Sequence, residues 1–153
     1  MRIHYDDNWG DDPLEAGRWL ARVRSQALSR RGALAFRALE AALLAQPRHR
    51  LIAGELADSR GDFCALGSLA SHKGAAKVWL QGHAYQDDEE IMDWAEARLD
   101  VPKWVAWMIM EANDERASPA PEVRWDDLLH FARRWIRNPT EVYREWKAAR
   151  LAP

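Results

Sequence analysis

The chain has 153 residues, nine tryptophans, one cysteine and a formal net charge of −2. This length is typical of one domain and allows a core that needs no metal to fold, and a single cysteine excludes an intramolecular disulfide. The longest apolar run, Trp104–Met110, is too short to span a membrane, and the acidic start Met1–Asp7 is unlike a signal peptide. We expect a single domain over residues 1–153 that has no membrane partner and works in the cytoplasm.

Charge is unevenly distributed along the chain. Residues 18–50 hold eight arginines and one acid, a net charge of +7, whereas residues 87–127 hold thirteen acids and four bases, a net charge of −9. Arginine and tryptophan, both abundant here, are enriched in binding hot spots, although tryptophan is also a common core residue. Two interpretations stay open: the segments face each other within the fold, or one of them faces a partner.

The first predicted elements are two helices. Asp12 suits an N-cap and Pro13 a first turn, and apolar residues recur at helical spacing over residues 16–27. Residues 33–45 are rich in alanine and leucine on nearly every face, which predicts a buried central helix. Pro47 ends this helix because proline lacks the amide that the next turn needs.

A small antiparallel β-hairpin is predicted near residues 51–69. Two short apolar runs in this segment flank a turn-rich stretch at residues 58–62. An isolated hairpin is marginally stable in water, so we expect it to pack on helices. Residues 71–86 give no clear signal, and residues 77–80 fit either a short strand or a helical turn.

Further helices follow. The acids at residues 87–90 suit a helix start, because they complement the positive end of the helix dipole. Residues 100–102 break that helix and begin a strongly apolar one, and two more helices are predicted over residues 125–136 and after Asn138-Pro139. The sequence therefore predicts a mainly α fold, with about six helices packed around the hairpin.

Five short motifs occur in a fixed order between residues 30 and 136. They are Arg31-Gly32, Arg50–Leu56, Cys64–Gly67, Asn113–Glu115 and Pro121–Trp125. In this order they resemble motifs of small uncharacterised proteins encoded by bacteriophages and prophages of Gram-negative bacteria. Ala112 departs from that pattern, which usually has an aromatic residue before the acidic triplet. The resemblance implies a phage or prophage origin and implies no activity.

The sequence offers no constellation of catalytic residues. Cys64 has no histidine at a motif spacing, and we expect it to be buried and unreactive in an apolar strand. Glu111, Asp114 and Glu115 come nearest to a metal site, but they lack the alternating spacing of a calcium loop. No glycine-rich phosphate loop is present in the sequence. We therefore predict no catalytic residue, no metal site and no cofactor.

A helix, a break and a second helix between residues 90 and 113 faintly resemble a helix-turn-helix. The second helix offers only Lys103 to phosphate, and it lies in the most acidic region. Because this is the wrong sign of charge for DNA, the pattern favours a packed helical hairpin.

The predicted partner surface lies in the acidic segment. A tryptophan exposed among carboxylates suits a basic, nucleic-acid-handling host protein, because the acids steer the encounter and the ring anchors it. We expect this surface to comprise Asp87, Asp88, Glu89, Glu90, Trp94, Trp104 and Trp107. The alternative is a polyanion-binding patch for nucleic acid, made by Arg18, Arg22, Arg24, Arg30 and Arg31.

Taken with the resemblance, this pattern favours a non-enzymatic phage or prophage accessory protein that binds a host protein in the bacterial cytoplasm. Inhibition of host defence, in the manner of anti-CRISPR proteins, or of other host machinery would fit such a partner surface. The alternative is a nucleic-acid-binding regulator that uses the arginine-rich helices of residues 18–50.

Overall fold

The computed structural model describes residues 12–75, 80–81 and 87–151. The fold is mainly helical, as predicted. The helices with both ends in these ranges are α1 (Pro13–Ala27), α2 (Arg30–Ala45), α3 (Ala65–His72), α4 (Asp88–Leu99), α5 (Lys103–Glu111), α6 (Pro121–Arg137) and α7 (Pro139–Leu151). A π-helical turn, Ala112–Arg116, continues α5. No helix among the described residues is long and apolar enough to cross a membrane.

Local sequence signals set several helix ends. The Asp12 carboxylate accepts hydrogen bonds from two first-turn amides of α1, at 2.9 and 3.4 Å, and Asp87 does the same for α4, at 3.1 and 3.2 Å. Each carboxylate satisfies amides that have no partner within their own helix. Asp100 ends α4 in the left-handed conformation, with φ of 55°. The predicted starts of α1 and α4 are therefore confirmed.

The predicted β-hairpin is wrong. Residues 51–64 form an irregular loop, and the one β bridge that joins two described residues is the antiparallel pair of Ala57 and Phe63. The turn between the two runs does exist, because Asp58 accepts hydrogen bonds from the amides of Arg60 and Asp62, both at 2.9 Å. The element considered at residues 77–80 falls almost entirely outside the described residues.

The second apolar run of the predicted hairpin, which ends at residue 69, lies mostly in helix α3 and not in a strand. A short run that is apolar on every face fits a buried helix as well as a buried strand, so its pattern does not separate the two. The Cys64 thiol favours the helix locally, since its sulfur accepts a hydrogen bond from the Gly67 amide at 3.2 Å and caps the first turn. Cys64 is fully buried, as expected, but at a helix cap.

Gly67 lets α3 pack directly on the loop before it. A Cβ atom at this position would lie 1.9 Å from the carbonyl oxygen of Leu56, far inside any real contact. Leu56 is itself fully buried, and its carbonyl accepts the Cys64 amide at 3.2 Å. The loop backbone is thus fixed against the helix, and a larger residue has no room.

Two helices organise the core. Every residue of α5 from Trp104 to Met110 is buried. On the other side of the molecule α2 packs against α3 and α6, where the rings of Phe36 and Trp135 stack with centroids 5.0 Å apart.

The expectation that α2 is buried on all sides is wrong. Leu34 and Leu44 are 50% and 48% exposed on its outer face. The inner face, with Phe36 and Leu39, is fully buried. An alanine- and leucine-rich composition made the helix look buried all round, but only tertiary packing determines how much of its surface neighbours cover.

We expect Gly67→Ala to lower the free energy of unfolding by at least about 2 kcal/mol, because the added methyl overlaps a backbone carbonyl that cannot withdraw. Gly17→Ala is the matched control. Gly17 lies on the exposed face of α1 with nothing near its missing Cβ, so alanine should stabilise the helix by about 0.5–1 kcal/mol. Urea denaturation of both variants checks this, and equal stabilities would contradict the close approach.

Candidate functional site

The acidic residues predicted as a partner surface divide between surface and core. Glu89 and Glu90 are exposed in the first turn of α4, and Asp87 is exposed at its cap. Asp88 is only 6% exposed. The inclusion of Asp88 in a surface patch is therefore corrected, because its side chain turns into the protein. Asp93 and Glu96, which the sequence reasoning did not select, extend the exposed acidic face along α4.

Lys103, at the start of α5, holds two of these carboxylates. Its ammonium group lies 2.9 Å from Glu89 and 3.2 Å from Asp93. Partial burial alone would lower the pKa of Lys103, but the hydrogen bonds to these two acids outweigh it and raise the pKa above its usual value. The backbone amide of Lys103 also donates to Glu96 at 2.8 Å. α4 and α5 are thus joined at their polar edge, while Glu90 forms no ion pair with a described residue.

The three tryptophans of the predicted surface differ in burial. Trp94 is half-buried on α4, one helical turn after Glu90. Trp104 and Trp107 are 7% and 2% exposed, so they belong to the core and do not present a binding surface. Their side chains are buried because α1 and α7 cover the face of α5 that the sequence left without a neighbour.

The buried tryptophans form a cluster that encloses an arginine. Rings of Trp19, Trp107 and Trp146 surround Arg150, with centroids 5.2, 4.7 and 5.0 Å from its central guanidinium carbon. One guanidinium nitrogen of Arg150 donates to both carboxylate oxygens of Glu111, at 2.8 and 2.9 Å. This is a cation–π arrangement completed by a counter-ion. It ties α1, α5 and α7 together, and no local sequence signal could have revealed a pair 39 residues apart.

Asn113 is a second residue that joins distant segments, and its role was not predicted from the sequence. Its side chain is fully buried in the π-helical turn, where its oxygen accepts the Ala65 amide at 3.0 Å and its nitrogen donates to the Ile52 carbonyl at 2.9 Å. Asn113 therefore satisfies backbone groups of the loop and of α3 at once. In the sequence, Asn113–Glu115 stood out only as one of the motifs that resemble phage-encoded proteins. In the structure, Asn113 has a structural role, because it bonds backbone groups of two segments.

Two carboxyl groups lie near Asn113, the half-buried Asp114 and the buried Asp88. Asp114 accepts hydrogen bonds from Asn113 at 2.7 Å and from the Gly54 amide at 3.3 Å, yet burial raises its pKa. Burial also raises the pKa of Asp88 to about 6, with further contributions from the charges of Asp114 and Asp87. One oxygen of Asp88 is buried without a hydrogen bond. The ionised form of Asp88 is thus poorly accommodated.

The arginines of the alternative polyanion patch are only partly free. Arg18 pairs with Glu15 at 2.8 Å, and Arg31 pairs with Asp100 at 2.7 Å. Arg22, Arg24 and Arg30 are exposed and form no ion pair with a described residue. Three arginines near the junction of α1 and α2 therefore remain available to an anion.

A cavity of about 270 Å³ opens between α5, α6 and α7. Its walls include Met108, Phe131, Trp135 and Trp146. Charged residues at its rim already pair with one another, Arg116 with Glu111 at 2.8 Å and Arg134 with Glu145. The cavity accordingly offers apolar surface and no unpaired group for chemistry, and its volume is smaller than that of a typical small-molecule site.

No group of three or more His, Cys, Asp or Glu side chains in the described ranges could hold a metal ion. Of the acids considered for a cation, Glu111 is held by Arg150, and Asp114 is held by Asn113 and the Gly54 amide. Comparison with protein-family models, curated proteins and solved structures finds no match to this chain.

We expect Asp88→Asn to stabilise the protein at about pH 8 by roughly 1–3 kcal/mol and to have little effect at about pH 3. The folded-state pKa of about 6 lies above the ordinary aspartate value of 3.8. The stability linked to this group is therefore fully present below pH 3.8 and is lost as pH rises from there through about 6. Asparagine cannot ionise, so the variant avoids that loss.

Thermal unfolding at both pH values measures the effect of Asp88→Asn. Asp87→Asn is the matched control, because asparagine is as good an N-cap as aspartate and the Asp87 side chain is exposed. It should change stability by less than about 1 kcal/mol at either pH. A pH-independent effect of Asp88→Asn would show that its carboxyl is not destabilised by burial.

We expect Arg150→Met to lower the free energy of unfolding by roughly 2–4 kcal/mol, because it leaves a mostly buried carboxylate without its main partner. Adding Glu111→Gln should cost much less than the sum of the two single changes, since both charges are then absent. Arg144→Met, on the exposed side of α7, is the control and should be nearly neutral. Additive losses in urea denaturation would show that the pair is not coupled.

Proposed function

We propose that this chain is a non-enzymatic accessory protein of phage or prophage origin that binds a basic host protein through the acidic face of α4. By occupying the nucleic-acid-handling surface of that partner, it inhibits host defence in the manner of an anti-CRISPR protein. It acts in the cytoplasm of the bacterial host. The resemblance of its motifs to small phage-encoded proteins supports the origin, and the exposed charge of α4 supports the mode of action.

The single observation that carries the proposal is the excess of exposed carboxylates on α4. Glu89, Glu90, Asp93 and Glu96 all face solvent. Among the described residues, Lys103 is the only cation that pairs with acids of this helix. An exposed face with one sign of charge steers oppositely charged partners and raises their association rate.

Internal pairing between the basic and acidic segments accounts for little of this charge. Within the described residues, two ion pairs join residues 18–50 to residues 87–127: Arg31 with Asp100 at 2.7 Å, and Arg50 with Glu122 at 3.7 Å. Neither involves a carboxylate of α4. The acidic face of this helix is thus left for a partner, which supports the proposal over mutual neutralisation within the fold.

Trp94 supplies the other feature of a protein-binding surface. It is half-buried on α4 and lies beside Glu90 on the helix surface, since residues four apart are neighbours. Tryptophan is enriched in binding hot spots, and charges around such a residue steer the encounter with a partner. Trp94 thus replaces the buried Trp104 and Trp107 as the aromatic anchor.

The second candidate is a nucleic-acid-binding regulator. It is favoured by one observation, the three exposed arginines Arg22, Arg24 and Arg30 that pair with no described acid. Binding through them would depend steeply on salt, because each phosphate contact releases a counterion. Among the described residues, Trp19 on α1 is buried and offers these arginines no exposed ring for base stacking. We therefore place this function second.

We expect the double variant Glu90→Gln, Asp93→Asn to slow association with the host partner by roughly threefold to tenfold and to reduce its salt dependence, with a smaller change in dissociation rate. The partner is first captured from host lysate on the immobilised chain and identified by mass spectrometry. Biolayer interferometry over a range of salt concentrations then gives both rates.

The matched control is Asp126→Asn with Glu141→Gln, which removes the same charge from exposed positions on α6 and α7. It should leave the rates unchanged. Equal association rates for all three proteins would contradict the proposed surface. If instead the captured ligand is nucleic acid, and its binding is lost in Arg22→Ala, Arg30→Ala while the α4 changes have no effect, the second candidate replaces the first.

A further inference from the structure

The outer face of α2 is exposed and combines apolar residues with arginines. Leu34 and Leu44 are 50% and 48% exposed. Between and beside them lie the exposed alanines Ala33, Ala41 and Ala45. The solvent face of a surface helix is normally polar, and clustered exposed apolar residues often mark an interaction site.

We propose that this face binds a second copy of the chain, so that two α2 helices pack antiparallel about a two-fold axis near residue 39. The interface is isologous, meaning that each copy contributes the same surface. Small alanines let the two helix axes approach closely, and the two leucines fill the space at each end of the contact. This assignment is independent of the α4 surface.

The register follows from the sequence of the face. In an antiparallel pair centred near residue 39, Leu34 lies opposite Leu44 of the second copy. Ala33 then lies opposite Ala45, and Arg37 lies opposite Ala41. The two leucines are about 15 Å apart along the helix, so each copy presents one leucine at each end. The pattern of apolar residues is therefore self-complementary in this direction.

Charge complementarity selects the same partner. Arg37 is exposed on this face and forms no ion pair with a described residue. The antiparallel register places Glu40 of the second copy beside it. Glu40 already accepts Arg133 at 2.9 Å, but its side chain remains 32% exposed and has acceptor capacity left. Two symmetric Arg37–Glu40 contacts therefore flank the two-fold axis.

The basic ends of the face do not prevent this contact. The register brings Arg30 of one copy near Arg48 of the other. Arg48 is already neutralised by Asp62, at 2.7 Å, so the repulsion that remains falls on exposed, solvent-screened groups. A nucleic acid could pair its phosphates with the arginines of this face, but the two leucines would then lie against charged phosphates. A second copy of the chain therefore fits the face better.

One pair of helices buries less area than a large, obligate interface. We therefore expect a weak, reversible dimer whose population rises with protein concentration. Analytical ultracentrifugation of the full chain should show the sedimentation coefficient increasing with concentration, towards that of a dimer. A monomer at every concentration up to the millimolar range would overturn the proposal.

Leu34→Gln with Leu44→Gln tests the face itself. Glutamine has good helix propensity, so α2 should stay intact while the dimer dissociation constant rises at least roughly tenfold. The matched control is Leu14→Gln with Val123→Gln, at positions that are 70% and 47% exposed on α1 and α6. The control should dimerise like the parent protein. Equal weakening by both double variants, or by neither, would overturn the assignment to α2.

Cysteine crosslinking tests the antiparallel register, and Cys64 is fully buried and can stay in place. Under mild oxidation, a mixture of Leu34→Cys and Leu44→Cys proteins should form a mixed dimer. Each variant alone should crosslink poorly, because its two thiols lie about 15 Å apart along the helix pair. Efficient crosslinking of Leu34→Cys with itself would indicate a parallel contact and would overturn the proposed register.

Discussion

The contact between Arg150 and Glu111, enclosed by tryptophans, is the interaction on which the arrangement of the helices depends. Arg150 lies near the end of α7, and its guanidinium reaches a carboxylate at the end of α5 and the ring of Trp19 on α1. A charge in such an environment is stable only while its partner and the aromatic faces stay in place. The contact thus fixes where three helices meet, and it explains why Trp104 and Trp107 are internal.

A second constraint acts on the opposite side of α5. Asn113 joins the π-helical turn to the loop before α3 through hydrogen bonds to backbone groups, and Gly67 lets α3 lie against that loop. π-helical turns within α-helices are frequent at functional sites, but here the turn has a structural role. It turns a buried amide towards backbone groups that would otherwise lack partners.

These two constraints leave distinct faces for partners. α4 is attached to α5 by buried residues such as Ile91 and Met92, and its carboxylates apart from that of Asp88 point outward. α2 is covered by α3 and α6 on its inner side, so its leucines on the outer side remain exposed. One face is acidic and the other is apolar with arginines. Their different chemistry suits a basic protein in the first case and self-association in the second.

Features that depend on neighbouring residues could be predicted from the amino-acid sequence. The Asp12 and Asp87 caps, the prolines at helix starts and the turn at Asp58 follow from local hydrogen bonding, and they were predicted correctly. Which helix faces are buried depends on the packing of distant segments. This packing made a helix of the apolar run after Cys64, exposed one side of α2, and placed Asp88 and two tryptophans inside. These outcomes depend on contacts between residues far apart in the chain, such as Arg150 with Glu111, and no local pattern encodes them.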